Sequence, residues 1–296
     1  MTRNLLLTGG AGQLGTALQK LEWPSDINLL APPRAELDLN ERLSVQGFLS
    51  NHQIDGIINA GAYTAVDAAE AEREIAWRVN AEAPGLFAEF AARTNIPLIH
   101  VSTDYVFSGD KGAPYDEDDA VGPVSVYGVS KEAGERAIRA TGARHLIIRT
   151  AWVLSATGKN FLKTMLRLAE DRDSLRIVAD QQGSPTSADD LAKVIQTLAG
   201  HHLSDRVAPS GTYHCVNSGF ATWAELASTL FDISAGYGGP VARVEPIGTA
   251  DYPTAAKRPM NSRLLTTKLE RDFGQRLPDW RDAISPIIFD VLKRVS

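Results

Sequence analysis

The sequence is poor in the features that mark several large classes of protein. Cys215 is the only cysteine in 296 residues, which excludes an intrachain disulfide and any cysteine-rich metal cluster. The formal net charge of -6 argues against a general binder of nucleic acid or anionic membranes. No apolar run reaches membrane-spanning length, and the one at the N-terminus is too short for a signal peptide. We therefore expect a soluble, unprocessed, cytoplasmic protein.

Metal-binding patterns are also missing. The six histidines are scattered, without H-E-x-x-H or another ligand spacing, so the residues themselves predict no metal site. His100 and His214 lie in strand-like runs, and we expect both to be interior residues with hydrogen-bond partners.

The first half of the chain alternates short apolar runs with longer amphipathic stretches. Runs such as "NLLLTGG", "GIINAG" and "PLIHVST" read as buried strands, and "QLGTALQKL" and "YGVSKEAGERAIRAT" read as helices. With a hydrophobic fraction of 44%, this alternation predicts an α/β fold, a doubly wound parallel sheet of Rossmann type. Such a sheet binds ligands at the carboxyl ends of its strands.

After Thr150 the rhythm changes to helices separated by loops, with a Gly/Pro-rich segment from Ala235 to Met260. The strand-like run "GTYHCVNSG" is expected to return to the main sheet, and the last predicted helix is "DWRDAISPIIFDVLKRV". We interpret these pieces as a smaller α/β substrate-binding lobe. The predicted division is a dinucleotide-binding domain of residues 1–150 and about 187–216, and a lobe of about 151–186 and 217–296.

Three glycines follow the first strand and open the first helix. Gly9, Gly12 and Gly15 are spaced three apart in "NLLLTGGAGQLGTAL". Glycine permits a tight turn and close approach of the backbone to a pyrophosphate, while the helix N-terminus offers free N–H groups to the phosphate charge. In this strand-turn-helix setting the glycines indicate a dinucleotide site.

The ends of the next two strands bear on the choice of cofactor. The second strand ends near Ala31 without an acidic residue to hold a ribose 2′-hydroxyl, and Arg34 follows. This favours NADPH over NADH, although Arg34 also fits a solvated loop and Asp38 a contact with the adenosine. In "NAGAYT", Ala60 and Gly61 fit either close approach to the cofactor or an ordinary tight turn.

Hydroxyl groups and a Tyr-x-x-x-Lys pair complete the predicted edge. "LIHVSTDYVFSG" ends a strand at Ser102 and Thr103, and "SVYGVSK" places Tyr127 and Lys131 on one face of a helix. A neighbouring ammonium and the positively charged nicotinamide are expected to lower the pKa of the phenol, and Lys131 is also placed to hold the cofactor ribose. The Thr103 hydroxyl would steady a substrate oxygen on which negative charge develops. Together these groups predict reduction of a ketone.

Further side chains have both a ligand-binding and a structural interpretation. Trp152 and Phe161 follow a strand end and suit either a sugar ring or the core. The loop "KRPMNSR" contains Arg258 and Asn261, a polar set suited to a diphosphate and nucleoside. The acidic side chains of "VDAAEAE" are expected to form a solvated helix face, with a role near the substrate as the alternative.

These motifs together resemble the extended short-chain dehydrogenase/reductases and, within them, the dTDP-4-dehydrorhamnose reductases. The resemblance covers the whole chain through "TGGAGQLG", "YTAVDAAE", "STDYVF", "VYGVSKEAGE", "QQGSPT" and "RPMNSRL". It implies NAD(P)H reduction of the 4-keto group of dTDP-4-dehydro-L-rhamnose to dTDP-L-rhamnose, the last step of dTDP-rhamnose biosynthesis. The implied catalytic triad is Thr103, Tyr127 and Lys131.

The resemblance also implies two sets of binding residues. The cofactor set adds Tyr127 and Lys131 to Gly9, Gly12, Gln13, Leu14, Gly15, Arg34, Asp38, Leu39, Ala60, Gly61 and Ala62. The substrate set is Thr103, Asp104, Val106, Phe107, Trp152, Asn160, Phe161, Arg258, Asn261 and Ser262.

Departures from the family pattern, and other functions, stay open at this point. Ala151 and Leu154 stand where the family often has a serine and a tyrosine. Some members form homodimers through a magnesium site, for which Asp189 is a candidate here, but paired aspartates at a helix start more often stabilise that helix. The alternatives are another nucleotide-sugar reductase or epimerase, and a non-catalytic cofactor-binding regulatory subunit of the same superfamily.

Overall fold

Short β-strands and amphipathic helices alternate along the chain, as the hydrophobic pattern predicts. The computed structural model describes residues 2–293, so Arg294 and Val295 of the predicted last helix lie outside the described residues. The strands are β1 (Arg3–Thr8), β2 (Ile27–Leu30), β3 (Gly56–Asn59), β4 (Leu98–Thr103), β5 (His145–Thr150), β6 (Val153–Leu154), β7 (Ser174–Val178), β8 (Gln182–Gly183), β9 (Thr186–Ser187), β10 (Gly211–His214), β11 (Ala221–Thr222) and β12 (Arg243–Ile247).

The helices are mostly amphipathic, and several begin at a side-chain cap that accepts a hydrogen bond from the first turn. They are α1 (Gln13–Lys20), α2 (Arg42–Asn51), α3 (Val66–Ala69), α4 (Arg73–Trp77), α5 (Ala83–Thr94), α6 (Val126–Ala140), α7 (Phe161–Ala169), α8 (Ala188–Ser204), α9 (Trp223–Gly236), α10 (Thr267–Phe273) and α11 (Trp280–Lys293). A π-helical segment, Arg78–Glu82, joins α4 to α5.

Six strands form one parallel sheet in the order β10-β5-β4-β3-β1-β2. The chain runs outward from β1 to β2 and then returns to β3 on the other side of β1, so the strand order reverses between β1 and β3. A doubly wound sheet opens a ligand crevice at such a reversal. The prediction that "GTYHCVNSG" returns to this sheet is confirmed, because β10 pairs with β5.

A second apolar core lies beyond the carboxyl edge of the sheet. It is built by α7, α9 and α11 with three two-stranded pairs, β7 with β12, β8 with β11 and β6 with β9. Strand β12 falls inside the Gly/Pro-rich segment in which the sequence predicts no strand. In the described part of the chain, no helix combines the length and apolar character needed to span a bilayer.

Candidate active site

The glycine turn and the turn after β3 meet at the point where the strand order reverses. Gly9 adopts a left-handed φ of 71°, and a Cβ there would lie 2.7 Å from the Gly61 Cα. A Cβ on Gly15 would lie 2.1 Å from the Gly9 carbonyl oxygen, so the first turn of α1 packs directly on the strand end. Neither contact leaves room for a side chain, which is the physical reason for glycine at both positions.

These turns form one wall of a cleft of about 990 Å³ along the carboxyl edge of the sheet. Gly12 is the N-cap of α1 and has no side chain to bond the first N–H groups of the helix, so these face the cleft uncapped. This glycine cradle fits a dinucleotide pyrophosphate. All the predicted cofactor residues line the cleft: Gly9, Gly12, Gln13, Leu14, Gly15, Arg34, Asp38, Leu39, Ala60, Gly61, Ala62, Tyr127 and Lys131.

Arg34 and Asp38 stand together in the loop after β2. The Arg34 Nε donates to Asp38 Oδ2 over 3.1 Å, and the Arg34 side chain is 77% exposed. Asp38 Oδ1 also accepts from the Asn40 N–H, which fixes the carboxylate in the loop. A guanidinium this exposed keeps most of its N–H donors free for a phosphate.

The triad residues converge on the floor of the cleft. Thr103 ends β4, and Ser125 caps α6 so that Tyr127 lies in its first turn. The Lys131 Nζ donates to the Val101 carbonyl over 2.7 Å and contacts His100 Nε2 at 3.3 Å. Helix α6 approaches closely because Gly128 has no side chain; a Cβ there would lie 2.2 Å from the Tyr105 carbonyl oxygen.

Burial dominates the acid-base properties of these groups. It raises the pKa of Tyr127 to about 12, with the nearby Asp104 adding to the rise and a hydrogen bond with Thr103 partly offsetting it. Burial also lowers the pKa of Lys131 to about 8, against the opposing effect of Glu135. The pKa of the Tyr127 phenol is therefore raised by burial, in the direction opposite to the expected lowering.

Asp104 is a buried carboxylate beside the triad. Its Oδ1 accepts from the Thr103 hydroxyl over 2.9 Å, whereas Oδ2 has no hydrogen-bond partner. Burial raises its pKa to about 6, although the hydroxyls of Ser262 and Thr103 favour the ionised form. Thr103 therefore points its proton at a carboxylate and leaves its oxygen lone pairs for other donors.

An aromatic stack closes the other side of the cleft. Trp152 has a left-handed φ of 44°, and its indole stacks on Trp223 with ring centres 3.5 Å apart and planes 9° apart. Phe161 packs on Trp223 at 4.7 Å instead of lining the cleft itself. Trp223 is a cleft residue without a motif in the sequence; its one signal is an aromatic residue directly after the Thr222 cap of α9.

Asn160 links the glycine turn to the second core. As the cap of α7, it accepts from the Lys163 N–H, and its Nδ2 donates to Gln13 Oε1 over 2.8 Å and to the Ser155 carbonyl over 2.7 Å. A contact with substrate stays a prediction for Asn160.

Several predicted substrate residues lie next to the cleft but do not line it. Val106 and Phe107 are fully buried in a small core beneath it. Asn261 donates from Nδ2 to the carbonyls of two residues, Lys111 and Ala113, and so ties two loops together. Ser262 is buried beneath Asp104. The binding roles of these residues also stay predictions.

Arg258 bridges the two halves of the molecule. Its Nη2 donates to Asp67 Oδ2 over 2.7 Å, and this guanidinium holds the pKa of the Asp67 carboxyl below its usual value. The neighbouring acidic groups are also bonded instead of simply solvated. Glu70 accepts from the N–H of Val126 at the start of α6, and Glu72 accepts from the Tyr63 hydroxyl.

Within residues 2–293, no three or more histidine, cysteine, aspartate or glutamate side chains converge as a metal site. Asp189 lies exposed in the first turn of α8, where the Ser187 side chain caps the helix. Two aspartates in a first turn stabilise the helix dipole.

Comparisons with known proteins agree with this geometry. A family model described as the RmlD substrate binding domain matches residues 3–292. The dTDP-4-dehydrorhamnose reductase of Sinorhizobium fredii is 44% identical over 97% of both chains, and that of Escherichia coli is 40% identical over 96% of this chain and 97% of its own. The Bacillus anthracis dTDP-4-dehydrorhamnose reductase, solved with NADP, matches with a TM-score of 0.89 at 33% identity, covering 98% of this chain and 100% of that one.

Proposed function

This chain belongs to the dTDP-4-dehydrorhamnose reductase family, and from that premise we propose that it reduces the 4-keto group of dTDP-4-dehydro-L-rhamnose to give dTDP-L-rhamnose. It is an NAD(P)H-dependent oxidoreductase of nucleotide-sugar biosynthesis, and the reaction is the last step towards dTDP-rhamnose. The observation that carries the proposal is the meeting of Thr103, Tyr127 and Lys131 with the glycine turn in one cleft.

Each triad residue has a role that follows from its surroundings. The bound dihydronicotinamide supplies the hydride. Tyr127, whose pKa of about 12 keeps the phenol protonated at neutral pH, donates the proton to the oxygen at C4. The Thr103 hydroxyl orients that oxygen once its proton turns from Asp104 to the substrate. Lys131 would hold the cofactor ribose and offset the negative charge that the phenol acquires on giving up its proton.

Arg34 supports a preference for NADPH. Its exposed guanidinium stands at the end of β2, the position from which a doubly wound sheet reads the adenosine ribose. Asp38 already pairs with Arg34 and is the group that would meet an unphosphorylated ribose. We therefore propose NADPH as the preferred donor, with NADH as a weaker substitute.

The substrate is proposed to lie between the triad and the aromatic stack. The stacked pair of Trp152 and Trp223 suits the C–H side of the sugar ring, since both residues line the cleft. Arg258 is the proposed contact for the diphosphate, because a guanidinium binds phosphate oxygens in a bidentate manner.

The first experiment follows NADPH or NADH oxidation at 340 nm with dTDP-4-dehydro-L-rhamnose. We expect wild-type turnover, and a loss of about 10²- to 10⁴-fold in Tyr127→Phe with cofactor affinity retained, since the variant lacks only the acidic proton. The matched control is Tyr237→Phe, which removes an exposed hydroxyl bonded to Ser285. A Tyr127→Phe enzyme with most of its activity would contradict the assignment.

The non-catalytic regulatory subunit is the second candidate, and the same experiment tests it. Cofactor binding without turnover of any keto sugar would support it, whereas turnover excludes it. We further propose a cytoplasmic location, which suits a chain whose lone cysteine is free and buried. A homodimer is the proposed assembly, and light scattering of the purified protein tests it.

A further inference from the structure

A row of polar side chains crosses the sheet directly beneath the cleft. Thr8, Asn59 and His100 are register partners on the adjacent strands β1, β3 and β4. The Thr8 hydroxyl donates to Asn59 Oδ1 over 2.6 Å, and Asn59 Nδ2 lies 2.9 Å from His100 Nδ1. We call these three residues the polar row.

The polar row joins the two walls of the active site. At one end, His100 Nε2 lies 3.3 Å from the Lys131 Nζ. At the other end, Thr8 Oγ1 accepts from the N–H of Gly61, which lies in the turn that packs on the glycine cradle. The row therefore connects the catalytic lysine to the cofactor loop through side chains alone.

Burying the polar row inside the sheet costs folding free energy. Asn59 and His100 are 0% exposed, Thr8 is 2% exposed and Lys131 is 1% exposed. A parallel sheet covered on both faces normally places apolar residues at such positions, and buried polar groups are costly unless every one of them is bonded. Apolar residues would stabilise the fold at least as well, so fold stability does not account for the row.

The position of the single ring proton of His100 depends on whether Lys131 is charged. Burial and the Lys131 charge keep the pKa of His100 well below its usual value, so the ring is neutral and carries one N–H. If Asn59 Nδ2 donates to Nδ1, the ring proton is on Nε2 and Lys131 must be a neutral amine. If the amide is turned, Asn59 Nδ2 instead donates to Thr8 Oγ1, Nδ1 donates to Asn59 Oδ1, and Nε2 accepts from the Lys131 ammonium. A charged Lys131 requires this second arrangement.

On these grounds, and resting on the proposed reductase function, we infer that His100 is a positioning residue: it fixes the Lys131 Nζ beneath the cofactor and supplies the acceptor that the ammonium form requires. Lys131 is left with only the Val101 carbonyl if His100 is removed. The far end of the row is a main-chain N–H, which has no proton to release, so the row positions Lys131 and does not conduct protons.

The expected consequence is a shift in pH dependence as well as a slower rate. The charged or titratable groups that act on this pair are Glu135 on α6 and His145 on β5, and Tyr127 lies one helical turn before Lys131 on α6. In the wild type, activity should fall as the pH rises through the Lys131 pKa of about 8. An acceptor for the ammonium favours its charged form, so without His100 this alkaline limb should move to lower pH.

The test compares His100→Leu with His100→Gln, measuring kcat, KM for NADPH, NADPH Kd and the pH profile of each. We expect His100→Leu to lower kcat by about tenfold to a hundredfold, to raise the NADPH Kd, and to shift the alkaline limb downward. His100→Gln retains a carbonyl acceptor and should recover most of the loss. The matched control is His202→Leu, since His202 is equally buried but its ring bonds the Leu198 carbonyl of its own helix.

Three outcomes would overturn the inference. The first is a His100→Leu enzyme with wild-type kcat and pH profile. The second is a loss that follows only the folded fraction, with the alkaline limb unmoved. The third is a His100→Gln enzyme as impaired as His100→Leu. Should His100→Leu fail to fold, Asn59→Ala, which breaks the row one step away, replaces it with the same expected direction.

The experiments distinguish a failure of this inference from a failure of the proposed function. If the wild type reduces no keto sugar, the reductase proposal is wrong, and NADPH affinity then tests the row. Equal Kd values for the wild type and His100→Leu would in that case overturn the row as well.

Discussion

At the residue scale, the phenol of Tyr127 is set up to give a proton and not to take one. A pKa raised to about 12 by burial keeps it protonated at neutral pH, which suits reduction of a carbonyl. The sequence predicts the opposite shift from the nearby lysine. The sequence cannot show that the Lys131 Nζ bonds the Val101 carbonyl and contacts His100, because these two residues lie on a strand about thirty positions earlier in the chain.

Asp104 yields a prediction about stability and pH. Its folded-state pKa of about 6 lies above the usual value, so between about pH 4 and pH 6 the folded chain binds more protons than the unfolded chain. Stability is therefore lost as the pH rises through this window, when the carboxyl ionises in its buried site. The Asp104→Asn variant cannot ionise, and its Tm relative to the wild type should increase from pH 4 to pH 7 by a few degrees.

Thermal unfolding of both proteins across this range measures the effect. Asp189→Asn is the control, because Asp189 is exposed and its removal should give a Tm difference without this dependence. A Tm difference for Asp104→Asn that stays constant between pH 4 and pH 7 would mean that the carboxyl is ionised throughout in the folded protein.

At the element scale, the alternation of strands and helices was readable from sequence because buried parallel strands are short apolar runs and their helices repeat at 3.6 residues. Two elements escape this logic. Strand β12 contains Pro246 and is only partly buried, so it has no apolar run. The π-helical segment has hydrogen bonds between residues five apart instead of four, a difference that the apolar spacing does not reveal. It nevertheless places Asn80 where it bonds both the Tyr63 backbone and Ser130.

The packing of α1 on β1 gives a prediction for Gly15→Ala. The added Cβ would lie 2.1 Å from the Gly9 carbonyl oxygen, so the strand-turn-helix must open. We expect a loss of about 1–3 kcal/mol in the free energy of unfolding and at least a tenfold weaker NADPH affinity, measured by denaturant titration and fluorescence.

Gly47→Ala in α2 is the control, because a Cβ there meets nothing within 4 Å. It should stabilise the chain by about 0.5–1 kcal/mol through helix propensity and leave NADPH affinity unchanged. Equal NADPH affinities for Gly15→Ala and Gly47→Ala would show that cofactor binding does not require the close packing of α1 on the end of β1.

At the scale of the whole molecule, the pair Asp67–Arg258 joins α3 to the loop before α10, near Tyr105 of the cleft lining. Asp67→Asn should cost at most about 1 kcal/mol of stability, since the pair is partly exposed. It should raise KM for the sugar nucleotide a few-fold with kcat little changed, because Arg258 is then no longer held in position for the diphosphate.

Steady-state kinetics of Asp67→Asn, Arg258→Gln and the double variant measure this coupling. The double variant should have the KM of Arg258→Gln alone, since Asp67 acts through the arginine. Glu245→Gln, which removes an exposed ion pair with Arg243, should have no effect. A lower KM in Asp67→Asn would mean instead that the carboxylate competes with the diphosphate.

The path of the chain between the two apolar cores has a mechanical consequence. The chain leaves the main core after β5, returns with α8, leaves again after β10, returns with Leu269 of α10, and departs once more between Leu277 and Trp280. Two bodies joined by one linker can rotate about that linker as about a hinge. Bodies connected by several chain crossings resist such a rotation. We therefore expect loops and side chains at the cleft, and not a swing of one body against the other, to capture the substrate.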